Sequence, residues 1–123
     1  MKTPKSILER RRSIRVDEAL PFKIGHADYE AQAKTVNISL HGALCLVDKS
    51  IPLMTQLAVA LTLPAIKGKG RGKALRLKGV VVRREKDPSS EQYFLAIYFS
   101  EIKSEDQDAL RRFIEARLSQ AKD

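Results

Sequence analysis

The sequence predicts a small antiparallel β-barrel followed by one C-terminal helix. The first observation is a succession of six short segments with apolar alternation or apolar character, set apart by turn-forming residues. Because no segment of helical period separates them, a parallel α/β sheet is disfavoured and a barrel is favoured. The second is a change of period after residue 103, from two to three and four, which marks a helix with one apolar stripe.

Leu20 to Ala27 reads as a strand with Pro21 at its beginning, and Asp28 supplies a turn into a second strand over Glu30 to Val36. Asn37-Ile38-Ser39-Leu40-His41-Gly42 interrupts the pattern with turn chemistry, and Ala43 to Val47 resumes it, so a bent strand pair is expected around the hexapeptide. Leu57, Val59, Leu61 and Leu63 alternate with smaller or polar residues and point one face inward, and Pro64 ends the strand. Ile66 to Lys73 interleaves glycine with basic residues as a solvated loop. Leu75 to Arg84 and Gln92 to Phe99 then form a long hairpin across Asp87-Pro88-Ser89-Ser90, with Tyr93, Leu95, Ile97 and Phe99 on one face. Ser104-Glu105-Asp106-Gln107 matches a capping box, and Leu110, Phe113, Ile114 and Leu118 form the helix stripe.

The chain has 123 residues, which is the length of one domain, and its 43% hydrophobic and 31% charged content is that of a globular protein. One cysteine, Cys45, cannot form an internal disulfide and alternation places it in the core. No apolar run approaches the roughly 20 residues of a membrane-spanning helix, and Met1 to Arg15 lacks the apolar stretch of a signal peptide. A soluble, cytoplasmic protein without membrane insertion is expected. Residues 1–19 carry charge and few apolar positions and read as a flexible arm, with a short helical turn over Ser6 to Arg11, ahead of a barrel-and-helix domain over 20–123.

A formal net charge of +8 predicts attraction to anionic ligands. The charge is concentrated in Arg10, Arg11, Arg12 and Arg15 of the arm and in Lys67, Lys69, Arg71, Lys73, Arg76 and Lys78 of the barrel. Catalytic constellations are missing. His26 and His41 with Cys45 are too few for a zinc cluster, and Gly68 to Lys73 fails the phosphate-loop pattern at Lys67 and at Ala74. Ser39 lacks the flanking glycines of a nucleophile elbow and reads as a hydrogen-bond donor. Asp17-Glu18 and Glu105-Asp106 are adjacent acids suited to solvation and to a helix dipole, and no enzyme is expected.

Arg11-x-x-x-Arg15 followed by Asn37-x-Ser39-x-x-Gly42, ahead of six strands and a helix, resembles the PilZ domain family over essentially the whole chain. The resemblance implies a PilZ-like six-stranded barrel that binds cyclic di-GMP, with no other cofactor and no metal. Arginine suits that ligand because its planar fork can grip phosphate, pair with the guanine edge and stack on a purine. On this reading Arg11 and Arg15 reach the ligand from an arm that orders on binding, and Arg12 contacts phosphate. Asn37 and Ser39 point the same way if their segment stays extended, and Gly42 permits a tight turn. Arg10, preceding the motif, implies a stacked ligand dimer by the same resemblance. Asparagine stands where the family often has aspartate.

The function expected is that of a non-catalytic receptor whose ligand-ordered arm alters contact with an unidentified partner protein. Two alternatives stand beside it. One is sequence-independent nucleic-acid binding on a basic barrel, weakened because most aromatics fall at core positions. The other is an adaptor of the same fold that binds no nucleotide.

Overall fold

A computed structural model of the chain describes residues 15–26, 29–65 and 72–121. Six strands form a closed antiparallel barrel: β1 (Pro21–His26), β2 (Tyr29–Ile38), β3 (Gly42–Val47), β4 (Gln56–Leu63), β5 (Lys73–Lys86) and β6 (Tyr93–Glu101), followed by helix α1 (Ser104–Ala121). The order around the barrel is β1-β2-β3-β6-β5-β4, with β1 also paired to β4, so every strand finds two neighbours. Closure removes the exposed strand edges of an open sheet.

The core is the inward half of each alternating strand. Ile24, Ile38, Cys45, Val47, Leu57, Leu61, Leu75, Val81, Leu95 and Ile97 are all essentially inaccessible to solvent. Burying side chains of this size contributes roughly 1.5–3 kcal/mol each relative to exposure, before the entropy of ordering is counted. Cys45 lies among them, and burial pushes its thiol up to about 12, which leaves it protonated and unreactive. Leu110, Phe113 and Ile114 of α1 join the same cluster, as the stripe predicts, with Leu118 packed beside it.

The helix begins at Ser104, but the capping-box expectation is corrected in one respect. The Gln107 amide donates to the Lys103 carbonyl at 2.9 Å, so Ser104 sits inside the first turn and Lys103 occupies the cap position. Glu105 and Asp106 still place negative charge at the positive end of the helix dipole, and Asp106 pairs with Lys73 of β5 at 3.8 Å. No helix among the described residues is long and apolar enough to cross a membrane. Residues 66–71 of the basic loop, with Lys67, Lys69 and Arg71, lie outside the described residues.

A bulge in β2 sets the direction of the last side chains of that strand. Thr35 pairs with Cys45 and Asn37 with Leu44, leaving Val36 as the extra residue. Strict alternation from the buried Thr35 would turn Asn37 inward. The bulge places Val36 and Asn37 outward in succession and returns Ile38 to the core.

Candidate ligand-binding site

Arg15, the last residue of the arginine motif, meets the Asn37-x-Ser39-x-x-Gly42 motif at the β2–β3 end of the barrel. β2 continues through Ile38, so Asn37 belongs to a strand and the connection to β3 is only Ser39-Leu40-His41, shorter than the hexapeptide turn expected. The Ser39 amide donates to the Gly42 carbonyl at 2.8 Å, and the Ser39 hydroxyl donates to the same carbonyl at 3.2 Å. That hydroxyl also accepts from the His41 amide at 3.3 Å. Ser39 is therefore buried, at 1% exposure, with its hydroxyl engaged inside the turn. Asn37 and Ser39 do not point the same way, because the strand ends between them.

Gly42 is required by packing. A Cβ at this position would lie 2.5 Å from the Ile97 carbonyl oxygen of β6, far inside van der Waals contact. The absent side chain lets β3 approach β6 closely, and the Phe99 amide then donates to the His41 carbonyl at 2.8 Å. The turn is thus fastened to β3 and β6 by its backbone, while its side-chain hydroxyl closes it internally.

Arg15 of the arginine motif is positioned by the segment ahead of β1. Residues 15–19, assigned to the arm from sequence, lie against the barrel. Val16 is buried and exchanges backbone hydrogen bonds with Ile38, at 2.8 and 3.0 Å. Thr35, buried in β2, accepts from the Leu20 amide at 2.9 Å and donates its hydroxyl to the Glu18 carbonyl. The Glu18 carboxylate pairs with Arg117 of α1 at 2.9 Å, and the Arg117 guanidinium lies 4.8 Å from the centre of the Phe113 ring. Sequence reading missed Thr35, Glu18 and Arg117 as the residues that fix this junction. The available signal was a threonine at an inward position of an alternating strand, where a polar group needs partners.

Fixed in this way, Arg15 donates from Nη1 to Asn37 Oδ1 at 3.0 Å, across 22 residues of chain. The bond is exposed, so water competes for both groups and its net contribution is at the low end of the roughly 0.5–1.5 kcal/mol typical of hydrogen bonds. Arg10, Arg11 and Arg12 lie outside the described residues, as does the short helical turn expected over Ser6 to Arg11. Among the described residues, no group of three or more His, Cys, Asp or Glu is arranged to hold a metal ion.

A closed six-stranded antiparallel barrel with an arginine and an asparagine joined beside a glycine-dependent turn defines a class of small β-barrel domains. The chain belongs to the PilZ domain family, whose pattern matches residues 9–116 and so includes both motifs. The structure of the Bacillus subtilis inhibitor of motility (MotI/DgrA) is similar, at 27% identity with a TM-score of 0.76 over 89% of this chain. The match covers 52% of that protein, so this chain spans about half its length. The PilZ domain of YcgR from Escherichia coli, solved with c-di-GMP, shares 16% identity and a TM-score of 0.61, over 92% of this chain and 95% of that one. The PilZ domain of CeSA from a cellulose-synthesizing bacterium gives 17% identity and a TM-score of 0.56, over 81% and 93% of the respective chains. No curated protein sequence matches the chain.

Proposed function

We propose that this protein is a non-catalytic cytoplasmic receptor for cyclic di-GMP, and that ligand binding draws the arginine-rich arm onto the barrel and changes its contact with a partner protein. The observation that carries the reading is the Arg15–Asn37 hydrogen bond, which joins the two motifs on the barrel surface. Membership of the family and the c-di-GMP in the YcgR structure support the ligand, and a net charge of +8 favours a doubly anionic one. In this reading Arg15 and Asn37 hold each other at the site and are exchanged for ligand groups. An arginine is the suitable partner, since a charge-assisted bond to phosphate is stronger than its bond to a neutral amide. Arg10, Arg11 and Arg12 close over the ligand from the arm, and Arg10 stacks in a ligand dimer. Gly42 and Ser39 hold the turn on which the ligand rests.

Calorimetric titration with cyclic di-GMP at physiological salt, with GTP and a short DNA oligomer as controls, tests the proposal. Saturable binding of cyclic di-GMP alone is expected, with Arg15→Ala and Arg11→Ala each weakening it by roughly tenfold or more. Arg15 is exposed, so Arg15→Ala leaves the melting temperature nearly unchanged. Absence of saturable binding, or unchanged affinity in both variants, overturns the proposal. DNA binding that falls steeply with salt and shows no preference for cyclic di-GMP transfers the function to nucleic acid.

A further inference from the structure

The outer surface of the barrel beside the Arg15–Asn37 pair contains an exposed aromatic side chain that neither motif includes. Tyr98 is 53% exposed at the centre of β6. Its inward neighbours Ile97 and Phe99 are buried, so alternation directs its ring outward. In the β3–β6 register Tyr98 lies directly opposite Gly42, and in the β5–β6 register directly opposite Val80. The flank toward β3 has no side chain, because the close strand approach at Gly42 excludes a Cβ. The flank toward β5 is occupied by the half-buried Val80.

Asn37 stands on the same outer face. It pairs with Leu44 of β3, which in turn pairs with Ala96 of β6, two residues before Tyr98. Leu44 and Ala96 are both half-buried and form a low apolar floor. Two strand spacings and two residues along the strand separate Asn37 from Tyr98, a distance of about 12 Å between their backbones. The surface therefore has a polar edge with a cation at Arg15, a low floor without charge, and an aromatic wall on the far side. That sequence matches a nucleotide laid flat, with phosphate at one end and a planar base at the other.

On this basis we propose that Tyr98 is the platform on which one base of the ligand stacks, resting on the assignment of cyclic di-GMP to this site. The phosphates lie toward Arg15, and the base crosses Leu44 and Ala96 to reach the ring on its Gly42 flank, where no side chain stands.

Titrating the wild type, Tyr98→Ala and Tyr98→Phe with cyclic di-GMP tests this. Loss of an aromatic platform weakens base binding by about tenfold, and Tyr98→Phe retains wild-type affinity because the face of the ring, and not the hydroxyl, makes the contact. Circular dichroism of Tyr98→Ala checks its fold. In the wild type, the ring protons of Tyr98 move upfield in NMR spectra as ligand saturates, a direct reading that needs no variant. Affinity of Tyr98→Ala within twofold of wild type, or unmoved ring protons at saturation, overturns the platform while leaving the receptor assignment intact, provided Arg15→Ala still loses binding. A wild type that does not bind the ligand overturns both.

Discussion

Two hairpin connections in this barrel use the same serine chemistry in opposite surroundings. Between β2 and β3, Ser39 folds its hydroxyl into the turn, is buried to 1% exposure, and depends on the close packing of Gly42 against Ile97. Between β5 and β6, the Asp87 carboxylate accepts from the Ser89 amide at 3.1 Å, the Ser89 hydroxyl at 3.0 Å and the Ser90 hydroxyl at 2.9 Å. This second turn is the more exposed of the two, and its bonds are made within the turn. The first is secured to neighbouring strands, so its geometry is inherited from the core. The difference explains how a surface site can be held rigidly. The turn of the candidate site gains its precision from the packed strands behind it, whereas a connecting turn needs only to close.

The largest effect that would break this contrast is at Gly42. Gly42→Ala places a methyl group against the Ile97 carbonyl, and strain of this kind costs roughly 1–3 kcal/mol. A fall in melting temperature by several degrees is expected, together with loss of cyclic di-GMP binding. A variant as stable as wild type would mean that β3 and β6 separate freely and that the turn is not held by the core. Ser39→Ala comes next. It removes both hydroxyl bonds, at 3.2 Å to the Gly42 carbonyl and 3.3 Å from the His41 amide, but leaves the 2.8 Å backbone bond to Gly42, so a loss of about 1–2 kcal/mol by chemical denaturation is expected. An equal loss from Ser90→Ala in the solvent-exposed turn would erase the distinction between the two.

How much of this could be read in the sequence depended on how local the determining contact is. All six strands and the helix were legible, because alternation and the change of period are properties of consecutive residues. The inward positions of Leu57, Leu61, Leu75 and Leu95 were legible for the same reason. The outward turn of Asn37 was hidden, since it depends on a bulge at Val36 that interrupts the alternation used to read direction. The docking of residues 15–19 was hidden too. Val16 is an isolated apolar residue in a charged stretch, and only its pairing with Ile38 reveals its role. Tyr98 shows an intermediate case: alternation with Ile97 and Phe99 implies that it faces outward, but its place opposite Gly42 comes from a pairing between segments more than 50 residues apart.

The smallest effect sharpens the comparison through pH. Hydrogen bonds from Ser89 and Ser90, led by the Ser89 amide, hold the Asp87 carboxyl below its ordinary value of 3.8. A carboxylate whose pKa is depressed in the folded state contributes stability above its unfolded value, and that contribution disappears as pH falls through the folded value. The β5–β6 turn should therefore loosen in acid below 3.8, while the hydroxyl and amide bonds of the Ser39 turn do not titrate. Asp87→Asn removes the titrating group, so any gap in melting temperature between it and the wild type should be widest at neutral pH and narrow as the solution is acidified below 3.8. Amide exchange followed residue by residue locates the change: Ser89 and Ser90 should lose protection in acid before Ser39 and His41 do. Simultaneous loss at both turns would show that the barrel opens as one unit, with the exposed turn as firmly coupled to the core as the Ser39 turn.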